Sequence, residues 1–91
     1  MLNWDSVLAA GPALVTRESE GELVVVLPEK GKFMVLNATG ARVLQLSDGS
    51  RTLREIADTL ATEFGADQAQ VDGDVLRFAQ ALVERDALHV R

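Results

Sequence analysis

Residues 30–49 read KGKFMVLNATGARVLQLSDG and pass from a strand-like pattern to a helix-like pattern within one residue. The segment KFMVL, Lys32–Leu36, is rich in the apolar and β-branched residues typical of strands. After Asn37, the apolar Ala41 and Leu44 recur at helical spacing, and Asn is a favoured helix N-cap. The sequence therefore predicts that a strand and a helix meet at Asn37 with no loop between them.

Two further strands are predicted before this junction. The short β-branched segment ALVTR, Ala13–Arg17, is followed by a polar ESEGE segment in which Gly21 suits a hairpin turn. The run LVVVL, Leu23–Leu27, is the strongest strand pattern in the chain. The PEKG segment at 28–31 then predicts a second turn. Together with Lys32–Leu36, these strands predict a three-stranded antiparallel meander.

The first twelve residues are loosely patterned. WDSVLAA favours a helical turn that ends at Gly11 and Pro12. Trp4 lies in this segment, where a core position and an interface position fit the sequence equally well.

After the junction, the pattern becomes helical. The SDG segment predicts the end of the first helix, with Gly49 as its C-terminal cap. Thr52 and Glu55 have the spacing of a capping box, which predicts the start of a second helix, and Gly65 predicts its end. The apolar stripe of this second helix is Leu53, Ile56, Ala57, Leu60 and Phe64.

A third amphipathic helix is predicted from Asp67, again with capping-box spacing to Gln70, to about Arg85. Gly73 interrupts it and weakens the helix by about 1 kcal/mol relative to Ala. The final ALHV predicts a short closing strand. The apolar stripe of the third helix is Val71, Val75, Phe78, Ala79, Leu82 and Val83.

Composition limits the classes of function. The chain has 91 residues, 47% of them hydrophobic, which predicts one domain spanning residues 1–91. It has no cysteine, no apolar run long enough to cross a bilayer and no basic N-terminal signal, so we expect a cytoplasmic protein without membrane contact. A net charge of -5 disfavours nucleic acid as a partner, because binding to phosphates depends on Lys and Arg.

The chain offers few groups for catalysis or for metal binding. Its one histidine, His89, lies next to the C-terminus, so no His-based triad or multi-histidine metal site is available. Asp67, Asp72 and Asp74 do not have the spacing of a calcium-binding loop, and the glycines are too dispersed to cradle a phosphate. We therefore predict a protein that is not an enzyme and has no catalytic residues, metal or cofactor.

Two segments resemble the PqqD-like family of peptide-recognition modules: GKFMVLNATGARVLQLSDGSRTLREIADTLATEFG and VDGDVLRFAQALVERDAL. The shared features are a strand that ends in LN, a small-residue helix start, DG at 48–49, T-x-x-E-I at 52–56 and DVLxF at 74–78. The resemblance covers about residues 21–90. It implies an α+β, winged-helix-like fold, with a three-stranded antiparallel sheet followed by three helices.

Two branches of the family fit. LPEKG at 27–31 is similar to a turn of the protein of the pyrroloquinoline-quinone (PQQ) pathway, whereas GKFMVLNATGARV is similar to free-standing leader-binding proteins of lasso-peptide pathways. Either branch implies that the module captures the leader segment of a ribosomally made precursor peptide and presents it to a modifying enzyme. The partner enzyme is then a radical SAM protein in the first case and a leader peptidase or cyclase in the second.

The resemblance also implies that the leader docks as an extra strand beside the third strand, in a groove walled by the third helix. Alternation along the strand places Met34 and Leu36 on one face and Phe33 and Val35 on the other, and the sequence leaves open which pair faces the helices. On the helix, Phe78 and Leu82 fit either the core or the peptide. The predicted peptide-binding residues are Lys32, Phe33, Met34, Val35, Leu36, Asp74, Arg77, Phe78, Ala81 and Leu82.

Two other functions fit the same elements. A winged-helix DNA-binding protein would use Gln68–Arg85 as its recognition helix, although Arg77 and Arg85 are the only basic residues there. An oligomerising subunit, including a homodimer, would pair the exposed strand edge with a second copy.

Overall fold

The computed structural model describes residues 2–11, 14–27 and 31–91. Within these residues, three helices and two three-stranded antiparallel sheets confirm the predicted α+β class. The winged-helix-like prediction had one sheet, and the structure adds a second. No helix within these described ranges is long and apolar enough to cross a membrane. The elements are β1 (Val7–Ala10), β2 (Val15–Ser19), β3 (Glu22–Leu27), β4 (Lys32–Leu36), α1 (Ala38–Leu46), β5 (Asp48–Thr52), α2 (Leu53–Phe64), α3 (Gln68–Glu84) and β6 (Leu88–Val90).

The predicted meander is confirmed as the sheet β2–β3–β4. Its register is regular, with Leu23 opposite Leu36 and Leu27 opposite Lys32. The predicted start of the first strand, Ala13, and residues 28–30 of the PEKG turn lie outside the described residues. One face of the sheet is buried under the helices through Leu23, Val25, Leu27, Met34 and Leu36.

The predicted strand–helix junction is also confirmed. Asn37 has an extended backbone, and its side-chain Oδ1 accepts a hydrogen bond of 3.0 Å from the Gly40 backbone N–H. This bond satisfies one of the free N–H groups at the start of α1. Thr52 and Glu55 form the predicted capping box of α2, and Gly65 ends that helix in the left-handed conformation at φ 57°.

The predicted end of α1 at Gly49 is wrong. The helix stops at Leu46, and Ser47 caps it, with its hydroxyl donating a 2.6 Å hydrogen bond to the Val43 carbonyl. Gly49, at φ 86°, instead belongs to strand β5. DGSRT is too polar to be recognised as a strand from sequence, and it forms one because β1 provides its pairing partner.

The helical turn predicted for WDSVLAA, residues 4–10, is also wrong. Val7–Ala10 forms strand β1, the centre of a sheet in the order β5–β1–β6. Leu8 on this strand is fully buried, and its neighbour β6 is the predicted closing strand. Both partners of β1 are distant in sequence, so its own short and irregular pattern did not reveal it.

Trp4 is a packing residue in this structure. It lies partly buried against the core, and the guanidinium carbon of Arg54 lies 4.2 Å from the centre of its ring. Arg54 also forms an ion pair with Asp72 of α3 at 2.9 Å. The N-terminal segment, α2 and α3 are thereby joined through one arginine.

Helix α1 packs against β3 and β4, and α3 packs against α1, α2 and β6. Asp67 accepts a hydrogen bond from the Gln70 N–H and so begins α3 as predicted. The buried stripe of α3 is Val71, Val75, Ala79 and Leu82. This packing fixes α3 relative to α1 and hence to β4, which continues directly into α1.

Candidate functional site

Strand β4 is an edge strand. Within the described residues it pairs with β3 alone, so the backbone along its other side has no strand partner. An edge of this kind presents N–H and C=O groups that another extended chain can pair with. All five residues of Lys32–Leu36 keep an unbroken register with β3, so the free edge is regular as well as exposed.

The structure decides which side chains of β4 face the helices. Met34 and Leu36 are buried on the inner side, whereas Phe33 is 69% exposed and Val35 is 49% exposed on the outer side. Lys32 lies opposite Leu27 and therefore shares the inner side at the start of the strand. The inner side of β4 is thus an apolar surface with a lysine at one end.

Helix α3 presents a second stripe beside its buried one. Three residues of this stripe are half-buried, namely Asp74, Phe78 and Ala81, and Arg77 is exposed. They are spaced three and four residues apart, which places them on adjoining turns of the helix. Leu82 is fully buried, so it packs in the core behind this stripe. The structure therefore brings four of the five predicted helix residues to the surface and places the fifth beneath them.

At one end of the space between β4 and α3, the Phe78 ring lies close to Gly40 and Leu36. A Cβ built on Gly40 would lie 3.0 Å from the Cδ1 and Cε1 atoms of the Phe78 ring and 3.3 Å from Leu36 Cδ2. The ring, the end of β4 and the first turn of α1 therefore meet over Gly40. A side chain at position 40 would therefore require the Phe78 ring and Leu36 to shift by a few tenths of an ångström.

The other end is a pocket of about 560 Å³. The start of β4 and the C-terminal end of α3 contribute most of its lining. The sequence did not predict four of the residues that line it: Leu27, Glu84, Arg85 and Asp86. Helical spacing could have indicated Arg85, because it follows the predicted Ala81 by one turn. The pocket is lined by Leu27, Lys32, Phe33, Met34, Glu84, Arg85 and Asp86.

These two ends define a groove between β4 and α3. From Lys32 to Leu36 the strand advances about 13 Å. From Arg85 back to Phe78 the helix advances about 10 Å. The strand and the helix thus border the groove over similar lengths and run in opposite directions. Asp74 lies about 6 Å beyond Phe78 along the helix, past the end of β4.

Charges on the helix side are mixed. Arg77 donates a 2.6 Å hydrogen bond to Asp74, and its guanidinium lies 6.0 Å from the centre of the Phe78 ring. Because Asp74 balances the charge of Arg77, α3 presents little net positive charge to a nucleic acid. The lining of the pocket includes two basic residues, Lys32 and Arg85, and two acidic residues, Glu84 and Asp86.

The acidic residues considered for a metal have other roles. Asp67 caps α3, Asp72 pairs with Arg54, and Asp74 pairs with Arg77. Across residues 2–11, 14–27 and 31–91, no three His, Cys, Asp or Glu side chains form a group suited to a metal ion.

The fold and the groove define a small α+β domain with a free strand edge beside a helix, a geometry suited to an extended peptide. The chain belongs to the family described as coenzyme PQQ synthesis protein D (PqqD), whose profile matches residues 22–88. The predicted resemblance is therefore confirmed.

Known relatives agree with this assignment. A PqqA binding protein of Xanthomonas campestris pv. campestris (strain B100) is 34% identical over 83 residues, which cover 91% of this chain and 88% of the relative. The solution NMR structure of the PqqD truncation of Methylobacterium extorquens PqqCD, described as a stand-alone RiPP recognition element, has a TM-score of 0.81 at 25% identity and covers 98% of this chain and 95% of its own.

A second solved structure is a complex. TbiB1 with the TbiA(beta) leader peptide has a TM-score of 0.77 at 26% identity, and the match covers 89% of this chain and 94% of that chain.

Proposed function

We propose that this protein is a non-catalytic recognition module that captures the leader segment of a ribosomally made precursor peptide and presents it to a modifying enzyme. The observation that carries the proposal is the free, regular edge of β4 beside the groove walled by α3. Relatives named for binding PqqA, and a similar structure with a leader peptide, support the same function.

In this proposal the leader pairs as a fourth strand along Lys32–Leu36. Each backbone hydrogen bond contributes about 0.5–1.5 kcal/mol with little regard for sequence, so side chains must supply selectivity. Alternate leader side chains point into the groove, where Met34 and Leu36 form the floor and Phe78 and Ala81 form the wall. Leu82 supports this wall from within the core.

Selectivity also has a polar component. At one end, the pocket with Lys32 and Arg85 accepts a side chain that combines an apolar body with a polar tip. At the other end, Asp74 and Arg77 orient any part of the leader that extends past β4, because each attracts the opposite charge. Phe33 and Val35 contact leader side chains that point to the outer side of the sheet.

The junction at Asn37 prepares β4 for binding. Because the cap of α1 follows the strand directly, β4 is held against the helices before a peptide arrives. A strand that is already ordered loses less conformational entropy on binding.

The modifying enzyme in this proposal is a radical SAM protein if the precursor is of the PQQ type. It is a leader peptidase or cyclase if the precursor is of the lasso type. The peptide therefore decides between the two branches, and both kinds of leader should be tested on the same protein.

The test is a titration of ¹⁵N-labelled protein with the leader segment of the precursor encoded beside its gene. We expect the amide signals of Lys32–Leu36 and of the exposed stripe of α3 to shift, and those of β6 to stay unchanged. A matched control peptide carries N-methyl groups at alternate backbone positions, which prevents strand pairing but keeps the side chains. Unchanged β4 signals at saturating leader, or equal binding of the methylated peptide, would contradict strand addition.

A further inference from the structure

The side of the sheet β2–β3–β4 that faces away from the helices forms a second surface, which we call the outer face. The register places Val15 beside Val26 and Phe33 in one row, and Arg17 beside Val24 and Val35 in the next row. A third row at the hairpin end places Ser19 beside Glu22. The outer face thus consists of Val15, Arg17, Ser19, Glu22, Val24, Val26, Phe33 and Val35.

This composition is unusual for a solvent-facing side. An antiparallel sheet with one buried face normally has polar residues on the other, yet five of these eight residues are apolar and adjoin one another in two rows. Val15 is 53% exposed, Phe33 69% and Val35 49%, and they are three of the five exposed large hydrophobic residues in the described chain. Contiguous exposed apolar surface of this kind marks a site of interaction.

Arg17 indicates the chemistry of the partner. No hydrogen bond or ion pair joins Arg17 to any residue that the structure describes, including Glu22 in the adjacent row, so its charge is available on the outer face. A partner with an apolar surface and a carboxylate would complement this face. A second copy fits less well, because both copies carry the same net charge of -5.

The outer face is continuous with the proposed leader site. Phe33 and Val35 lie on β4 itself, so a strand added at its edge extends the sheet on both sides. Alternate leader side chains then point outward beside Phe33 and Val35. The outer face and the bound leader together form one surface.

We infer that the outer face docks the modifying enzyme, which contacts the apolar residues, pairs a carboxylate with Arg17 and touches the outward side chains of the bound leader. The enzyme therefore binds the leader-loaded module more tightly than the empty one. This inference rests on the proposed function and adds a partner surface and a coupling between two binding events.

The test uses the double variant Val15→Thr/Arg17→Glu and calorimetric titration with the purified modifying enzyme encoded beside this gene. Strand β2 lies about 10 Å from β4, so the double variant alters the outer face without touching the leader edge. For the wild type, saturating leader should raise the affinity for the enzyme about fivefold. For the variant, the affinity of the loaded module for the enzyme should fall about tenfold, while the leader Kd changes less than about twofold.

Phe64→Thr is the matched control. Phe64 is also exposed, at 47%, but it lies at the end of α2 and outside the outer face, so both affinities should stay unchanged. Wild-type enzyme binding by the double variant, or enzyme affinity that does not depend on leader, would overturn the inference while leader binding stands. A wild-type dimer in sedimentation that the double variant dissociates would assign the outer face to a second copy and also overturn it. Failure of the wild type to bind any leader would overturn the proposed function itself.

Discussion

The sheets β2–β3–β4 and β5–β1–β6 have equal numbers of strands but differ in connectivity and in their edges. The first is a local meander with an unbroken register. The second joins strands from the start, middle and end of the chain, its β1–β5 register shifts between Val7 and Ala9, and β6 has three residues. Short and irregular edges resist pairing with other chains, whereas the regular β4 edge permits it.

The second sheet has a structural role. The Arg91 backbone N–H donates to the Val7 carbonyl at 2.8 Å, and the Arg91 Nη1 atom donates to the Gly49 carbonyl at 2.9 Å. These bonds tie the C-terminus to β1 and β5. The comparison predicts that changes in β5–β1–β6 affect stability, whereas changes beside β4 affect peptide binding.

The largest effect should come from Leu8→Ala in β1. Leu8 is fully buried, so its truncation should lower the free energy of unfolding by about 2–5 kcal/mol. Urea unfolding measures this loss, and the folded fraction should retain its leader affinity. Val35→Ala on the exposed side of β4 is the stability control and should cost less than about 1 kcal/mol. Equal losses for the two variants would remove the distinction between the sheets.

Gly40→Ala should weaken leader binding about tenfold, which equals about 1.4 kcal/mol. The added methyl group would meet the Phe78 ring at 3.0 Å, so the ring would have to shift by a few tenths of an ångström, which changes the wall of the groove. Fluorescence anisotropy with a labelled leader measures the change. An unchanged Kd would show that the ring position does not shape the groove.

Gly73→Ala is the counterpart of this change on α3. A Cβ at Gly73 meets no described atom within 4 Å, so the variant should gain helix propensity of up to about 1 kcal/mol without a clash. The Tm should rise by several degrees while the leader Kd stays the same. A lower Tm would indicate that Gly73 has a packing role that the structure does not reveal.

The smallest effect on stability should come from lowering the pH. Hydrogen bonds from the Arg42 side chain lower the pKa of Glu63, those from Thr52 lower the pKa of Glu55, and those from Ser50 lower the pKa of Asp48. Each carboxylate thus stabilises the fold at neutral pH, and this contribution is lost as pH falls through about 4 and below. None of the three lies on β4, so acid should weaken the helix and β5 contacts first.

Thermal melts across pH measure this dependence, with Glu63→Gln as the matched variant. The variant removes the carboxylate that bonds to Arg42 at 2.7 Å, so its Tm should be slightly lower than that of the wild type at neutral pH. The difference should vanish once the wild-type carboxyl is protonated. A constant difference at all pH values would mean that the ion pair is not its cause.

Much of the proposed leader site was predictable because its signals are local. Alternation in Lys32–Leu36 and the cap at Asn37 need only neighbouring residues, and both predictions are confirmed. The helical spacing of Asp74, Arg77, Phe78 and Ala81 likewise placed them on adjoining turns before any packing was known. The assignment of these residues to peptide binding stays a prediction until the titration is done.

The meander, the three helices with their N-caps and the junction between β4 and α1 could be read from local patterns, because periodicity and capping act over a few residues. The strands VLAA and DGSRT emerge only in the folded chain, since each depends on partners distant in sequence. The fold likewise turns Met34 and Leu36 inward, packs Phe78 over Gly40 and brings Arg85 to the same groove as Lys32. These relations arise from packing between elements, which no local pattern specifies.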